Sequence, residues 1–386
     1  MKNKLTIIAS IDSTFKILLI AQIKAAQEAG YDVYGICSEG PNFNFLKEQG
    51  IQMYPVKIKR SISLFSDIKA LWQIYKFLKK EKINIVHTHT PKPVLLVPIA
   101  AKLARVPVRI CTLRGFMVRE GLKPLPKLMY RFMAWISAKC STFLLCQNPE
   151  DVQRYIDAGV CKQDEIAPLG NGVNLEKFNP DRFDNNFKKQ KRKEIGIPAD
   201  ATIVGIIGRL VREKGYLELF EAFKEIIKEN NNVWLVIIGP EEPEKSDRIS
   251  ADTFKEYGID NRTVYLGSRD DIPEILSCID IYTLPSWREG FPRSAIEAAA
   301  MGLPIVTTDI RGCRQVVNDK ENGLLVPLKN IDKLKDALVE LIENPDMRKQ
   351  YGQAALQKAQ NQFNEKRVCQ IVLDTYKKEL NKQNDN

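Results

Sequence analysis

The chain has 386 residues, 44% of them hydrophobic and 27% charged, which is room for two ordinary domains and excludes a disordered or fibrous protein. No apolar run nears the ~20 residues of a membrane helix, and the opening "MKNKLTIIASIDSTF" lacks a secretory signal's apolar stretch and cleavage site, so a cytoplasmic protein is expected. The net charge of +10 is lopsided: residues 1–185 carry 27 Lys and Arg against 16 Asp and Glu, the remainder 31 against 32.

Short β-branched runs alternate with amphipathic stretches along nearly the whole chain. "LTIIAS" reads as a strand and "KILLIAQIKAAQEAG" as a helix stopped by Gly30. The strand "DVYGICS", a short helix to Gly50 and the strand "IQMYPV" follow. "SDIKALWQIYKFLKKEK" repeats apolar residues at threes and fours, as an amphipathic helix does. Next come the strand "INIVHTH", a helix around "PVLLVPIAAKLARV", the strand "VRICTL", the helix "PLPKLMYRFMAWISAKC" and the strand "TFLLC". The pattern lapses from Asn174 to Ile197, a polar stretch expected to be a linker. It restarts with "ATIVGIIG", a helix from about Gly215 to Asn230, "VWLVIIG", a helix near Phe254, "TVYLG", "IDIYTLP", a helix from about Pro292, "PIVTTD" and "GLLVP". Helices at 331–343, 345–359 and 364–380 close the chain. Such alternation predicts an α/β protein of two doubly wound parallel sheets, residues 1–185 and 186–363, with ligand at the strand carboxyl ends in an interdomain cleft.

Two stretches carry chemistry. In "GIIGRLVREKG" a strand ends at Gly208 and is followed by Arg209 and Lys214, two cations placed to clamp a diphosphate, or else incidental charge on a surface loop. In "REGFPRSAIEAAAMGLPIV", Glu289 and Glu297 flank a helix start near Pro292. Gly290 permits close backbone approach, and the free N–H groups of that helix suit a departing phosphate. The small face "AIEAAAMG" predicts tight packing on the sheet. "HTHTPKP" puts His87 and His89 on one face of a strand end. With no C-x-x-C pair among eight cysteines and only these two histidines, neither a disulfide framework nor a zinc site is expected.

"GRL…EKG", "LPSWREGFPRSAIEAAAMGLPIVTTDIRGCRQVV" and "NGLLVP" resemble the donor half of the retaining glycosyltransferases of family 4, with their E-x7-E pattern and two Rossmann-like domains. "HTHTPKP", "QNPEDVQRYIDAGV" and "GNGVNLEKF" are similar to members that build bacterial surface polysaccharides. The resemblance implies Arg209 and Lys214 on a nucleoside diphosphate and Glu297 on its ribose. Glu289 would contact the donor sugar, with the backbone of Gly290, Phe291, Pro292 and Arg293 around sugar and phosphates. Gly267, Arg269 and Ile272 would line the base pocket. Ser13 and Thr14 replace the usual Gly-Gly turn of the first loop, where either is placed to cap the following helix. Arg114 stands where relatives often have His, and with His89 is a candidate for acceptor or donor contact. The closing helix, 364–386, is expected to cross back to the first domain.

The implied reaction is metal-independent, cofactor-free transfer with retention, of a hexosyl or N-acetylhexosaminyl group from a UDP-linked donor. The acceptor is a hydroxyl of a lipid-diphosphate-linked or polysaccharide chain in capsule, exopolysaccharide or O-antigen synthesis. The alternatives are a nucleotide-sugar 2-epimerase of the same architecture, disfavoured because the second half has no His, and a non-catalytic relative. A dehydrogenase is disfavoured by the missing G-x-G-x-x-G. Between Lys102 and Lys139 stand nine basic residues and one acid, Glu120. A solvated basic face accounts for this, but Lys123, Lys127, Arg131 and Lys139 recur on one helical flank among Met117, Leu122, Leu125 and Trp135. That combination predicts a peripheral edge on the anionic inner face of the membrane, with Arg114 or Arg119 near the acceptor phosphates. No nucleic-acid motif accompanies it.

Overall fold

A computed structural model describes residues 2–59, 63–116 and 124–384. The chain divides into unit 1, residues 1–170 with 366–386, and unit 2, residues 171–365.

Unit 1 is a seven-stranded sheet in the order β3-β2-β1-β4-β5-β6-β7. Its strands are β1 (Lys4–Ile11), β2 (Asp32–Ser38), β3 (Gln52–Pro55), β4 (Ile85–Thr88), β5 (Val108–Leu113), β6 (Phe143–Cys146) and β7 (Ile166–Pro168). Every pair is parallel, so each connection crosses over through a helix. The central strands β1 and β4 are buried over nearly their whole length, as continuous apolar runs between two helix layers should be. One face is covered by the helices Leu64–Glu81, Pro91–Leu103 and Pro124–Cys140. On the other, Phe15, Leu19, Ile23 and Phe43 pack with Val368, Val372 and Tyr376 from the last helix, Glu365–Asn384.

Unit 2 repeats the plan with six strands in the order β10-β9-β8-β11-β12-β13. These are β8 (Thr202–Ile207), β9 (Val233–Ile238), β10 (Thr263–Tyr265), β11 (Ile281–Leu284), β12 (Ile305–Thr308) and β13 (Gly323–Val326). All are parallel. In both sheets the strand order reverses direction beside the first strand: between β1 and β4, and between β8 and β11. Loops leaving the carboxyl ends of those neighbours diverge to opposite faces and open a crevice. The alanine-rich helix Arg293–Ala300 lies flat on the sheet, with Ala295, Ala298, Ala299 and Ala300 all buried.

Two expectations need correction. Residues 174–197 are not a linker: Phe178, Phe183, Ile195 and Ile197 enter the core of unit 2, and a helix, Asn185–Glu194, is anchored by Arg192 on Asp280. Its charged residues hid four apolar anchors spaced too irregularly to read as an element. The unit boundary accordingly falls at Gly170, earlier than 185. Nor do Ser13 and Thr14 cap the first helix. It begins at Asp12, and Ile11 stands at the cap without a side-chain bond. The short edge strand β7 has no counterpart in the sequence reading. Its three residues, "IAP", are too few to show a period.

Candidate functional site

The crevice of unit 2 is built from the loops after β8 and β11. Leaving β8, Gly208 is followed by Arg209 and a single helical turn, Arg212–Lys214, which ends at Gly215 with φ +78°. A side chain at Gly215 would collide with the carbonyl of Pro285, so glycine lets the two loops touch. Trp287 N–H donates to the Glu213 carbonyl at 2.8 Å and pins the second loop to the first. Across this junction Lys214 Nζ donates to Glu289 Oε1 at 2.5 Å, and Ser286 Oγ donates to the same oxygen at 2.7 Å. The pair is largely sheltered, with 18% and 12% of the two side chains exposed. Gly312 backs Glu289, and a Cβ there would stand 2.5 Å from the Glu289 carbonyl oxygen.

Arg209 is also matched by carboxylates. It donates to Glu242 Oε2 at 2.8 Å and to Glu213 Oε1 at 3.2 Å. Both cations beside the crevice therefore rest on carboxylates. Glu297 stands in the next turn of chemistry, where Arg293 Nε donates to its Oε1 at 2.9 Å. Burial raises the Glu297 carboxyl above its ordinary value, and the Arg293 charge partly offsets this. Glu289 and Glu297 thus have different partners, one a lysine and a serine, the other an arginine.

The backbone from Gly290 to Arg293 leads into the helix Arg293–Ala300, whose cap residue Pro292 offers no side-chain bond. Phe291 is buried edge-on to Phe363 at 5.8 Å, and its carbonyl accepts from Asn171 Nδ2 at 3.0 Å. On the far side, Gly267, with φ +61°, accepts at its carbonyl from Gly239 N–H at 2.8 Å, tying the loops after β9 and β10 together. Arg269 makes a two-bond fork with Asp271, both at 2.7 Å, and Lys191 adds a third cationic contact at 2.9 Å. These hold the Asp271 carboxyl well below the usual range. Ile272 opens the following helix and packs against the core.

In unit 1 the equivalent crevice lies after β1 and β4. Asp12 is buried and accepts from Ser13 N–H at 2.8 Å and Asn42 N–H at 2.5 Å, bracing two loops. Thr14 is buried beneath and Ser13 half-buried. Thr90 closes the far wall in a left-handed conformation, φ +66°, and its Oγ1 bonds the Ser10 hydroxyl at 3.0 Å. His87 and His89 share a face as expected, with ring centroids 4.1 Å apart and both fully buried. His87 is saturated, bonding Tyr376 OH at 2.6 Å and Thr112 Oγ1 at 2.7 Å. Burial, aided by the Arg114 charge, pushes it down from 6.5 to about 3, so it is neutral. His89 faces Arg114 at 3.5 Å through Nδ1. A guanidinium only donates, so that contact assigns Nδ1 as acceptor and leaves the proton on Nε2. His89 Nε2 has no partner among the described residues, which is costly for a buried donor.

Arg114 and His89 are thereby brought together, as are Lys214 and Glu289, whereas Arg269 is turned to Asp271. Arg119 and Lys123, like Met117 and Leu122, lie outside the described residues. Sequence reasoning missed Ser286, Asn171, Glu242 and Tyr376, each reaching its partner from a distant part of the chain or through an unremarkable residue type. Only the fragment "GNGVNLEKF" hinted at Asn171.

The chain matches the sequence signature of the glycosyl transferases group 1 over residues 187–358 and that of the glycosyl transferase 4-like domains over residues 6–148. It is 35% identical over 81% of its length to an Escherichia coli protein, UDP-Gal:alpha-D-GlcNAc-diphosphoundecaprenol alpha-1,3-galactosyltransferase, covering 81% of that relative. The chain is a family-4 glycosyltransferase. The transferase is also 28% identical to the capsular polysaccharide biosynthesis glycosyltransferase CapM of Staphylococcus aureus, over 93% of both chains. In fold it resembles Anabaena HepE in complex with UDP-glucose, with a TM-score of 0.82 at 17% identity over 97% of this chain and 99% of that one. Neither an epimerase nor a dehydrogenase is favoured by these matches.

Proposed function

We propose that the transferase moves a hexosyl or N-acetylhexosaminyl group from a UDP-sugar to a hydroxyl of a lipid-diphosphate-linked sugar in bacterial surface-polysaccharide synthesis. The observation that carries this reading is the Lys214–Glu289 pair at the strand crossover of unit 2, in a chain of this family. The Escherichia coli relative is named for a UDP-galactose donor and a diphosphoundecaprenol acceptor, and the Staphylococcus aureus relative for capsule.

In this reading the donor diphosphate takes Lys214 and Arg209 from their carboxylates, with the N–H groups of the 293–300 helix behind the phosphates. Freed from Lys214, Glu289 accepts from hydroxyls of the donor sugar, still oriented by Ser286. Glu297 accepts from the ribose diol, and Gly267, Arg269 and Ile272 flank the base. The bond from the anomeric carbon to the β-phosphate oxygen breaks while the acceptor oxygen bonds that carbon on the same face, giving retention. The acceptor proton passes to the departing phosphate. Two cations and a helix end neutralise that charge without a metal. Unit 1 holds the acceptor, with His89 Nε2–H donating to an acceptor oxygen and Arg114 pairing with its phosphate. A lipid-borne acceptor places the reaction at the inner face of the membrane. No helix among the described residues is long and apolar enough to cross one.

A panel of UDP-sugars incubated with a diphosphoundecaprenol-linked acceptor tests the reading. One donor should be consumed only when acceptor is present, the product linkage should keep the donor's anomeric configuration by NMR, and EDTA should leave the rate unchanged. Consumption of donor alone would point to an epimerase. Inversion or EDTA sensitivity would remove the corresponding part of the mechanism.

A further inference from the structure

We infer that unit 1 binds an anionic lipid bilayer through two helices, 64–81 and 124–140, each inserting an outward apolar stripe flanked by lysine and arginine. The inference rests on the proposal that the acceptor is carried by a lipid, and goes further by assigning the surface that meets it.

Helix 64–81 uses two opposite faces. Ala70, Ile74, Phe77 and Leu78 are buried under the sheet, while Phe65, Ile68 and Trp72 point outward, Phe65 with 92% of its surface in solvent. Their spacing of three and four puts them in one row. Lys76 lies over the Trp72 ring at 5.2 Å, and Lys69, Lys79 and Lys80 are exposed beside the row. Helix 124–140 repeats the arrangement. Ala134 and Ser137 face the interior, whereas Leu125, Leu128, Met129, Phe132 and Trp135 form an exposed stripe. Lys127 and Arg131 stand exposed along it, and this helix has no acidic residue.

Fourteen large apolar side chains are exposed among the described residues, and eight belong to these two stripes. Scattered apolar residues on a surface need no explanation; two aligned rows with basic margins do. A helix with aromatic and aliphatic residues on one side and Lys or Arg beside them suits the boundary between headgroups and acyl chains. Charge separates the bilayer from other occupants. Unit 1 has 30 Lys and Arg against 16 Asp and Glu, so a second copy would meet it with like charge, whereas an anionic leaflet attracts it. A nucleic acid would leave the apolar rows uncovered.

The position of the stripes agrees with that occupant. Both helices pack on the 91–103 helix in one layer. In parallel crossovers the helices run back against the strands, so their N-terminal ends stand at the strand carboxyl edge. Phe65 to Trp72 occupy the first half of one helix, and the stripe of the other begins at its second residue. The apolar rim therefore borders the edge that carries His89 and Arg114. A sugar diphosphate whose lipid tail stays in the bilayer would reach those residues without leaving the membrane surface.

Flotation of the full chain with phosphatidylglycerol–phosphatidylethanolamine vesicles, and with phosphatidylcholine vesicles, tests the inference. The wild type is expected to float with the anionic vesicles and to be weakened, but not released, by about 0.5 M salt. Trp72 and Trp135 should be quenched by brominated acyl chains. The pairs Phe65→Ser with Trp72→Ser, and Leu128→Ser with Phe132→Ser, should each lower the bound fraction by about fivefold, and together abolish it. Circular dichroism and UDP calorimetry should match the wild type for these variants. No flotation of the wild type, or undiminished flotation of the combined variant, overturns the inference. So does a dimer in ultracentrifugation that the same substitutions disperse. If the wild type floats and binds UDP but transfers nothing to a diphosphoundecaprenol-linked acceptor, the docking stands and the proposed reaction falls. Transfer to that acceptor in detergent without flotation gives the reverse.

Discussion

Units 1 and 2 share a strand order and an all-parallel sheet, yet their surfaces are opposites. Unit 1 carries a net +14 and unit 2 a net −4. Of the fourteen exposed large apolar residues described, twelve are on unit 1 and two, Leu328 and Ile331, on unit 2. The polar sites differ as well. At its crevice unit 2 has cations already paired to carboxylates, Lys214 to Glu289 and Arg209 to Glu242. Unit 1 presents a neutral, buried histidine pair beside Arg114. One backbone plan thus serves two tasks, because the sheet only fixes where loops emerge. What the loops and outer helix faces carry decides the partner.

The sharpest test of this contrast is Lys214→Ala. It removes a charge from the crevice that the proposed function gives to the donor while Glu289 keeps Ser286, so the rate should fall about 10²–10³-fold with melting near wild type. A full-rate variant would break the assignment of unit 2 as the donor side. Acid comes next. His87 drops from 6.5 to about 3 on folding, so below pH 6.5 the unfolded chain takes the proton first. Its stabilising contribution is complete above that pH and is lost as pH falls toward 3, at about 1.4 kcal/mol per pH unit. His89 acts in the same direction. Unit 2 has no histidine, the raised Glu297 carboxyl has the opposite sign, and the depressed Asp271 carboxyl begins to lose its contribution only as pH falls through its unfolded value of 3.8, below the window where His87 starts to act. Unit 1, reported by Trp72 and Trp135, should therefore loosen before unit 2, reported by Trp234 and Trp287. Simultaneous loss at every pH would blunt the comparison.

Tyr376→Phe sharpens it at one atom. The change leaves a buried His87 nitrogen without its partner and should cost about 1–3 kcal/mol in unit 1, measured by urea unfolding. UDP affinity, which the proposed function assigns to unit 2, should not move. The smallest effect is expected of Gly312→Ala, whose methyl group would push on the Glu289 carbonyl. A rate loss of about tenfold without any change to a charged residue would show that the backbone behind Glu289 sets its position. An unchanged rate would mean that the loop yields.

Much of this was legible early because periodicity survives without context. The rows of three and four in "SDIKALWQIYKFLKK" mark a helix in any surroundings, and Pro345 stops one helix and starts the next wherever they pack. Arg209, Lys214, Glu289 and Glu297 were visible because glycines and a helix start punctuate their loops. Asn171 was not. Its bond to the Phe291 carbonyl spans 120 residues, and no local pattern encodes it. Residues 174–197 look like a linker in sequence for a related reason: their apolar anchors are few and irregular, and only the core they enter makes them an element.

Chain alternation, composition and punctuated loops determined the two parallel sheets, the lopsided charge and the residue types in the loops after β8 and β11, since these depend on neighbours along the chain. Tertiary structure alone decided the rest. It paired Lys214 with Glu289 rather than leaving it free, turned Arg269 onto Asp271, and linked His87 to Tyr376 across 289 residues. It also decided that helix 124–140 shows solvent its leucines and aromatics. A hydrophobic stripe looks the same in sequence whether it faces a core or water, and the sheet has room to cover only one side of a helix.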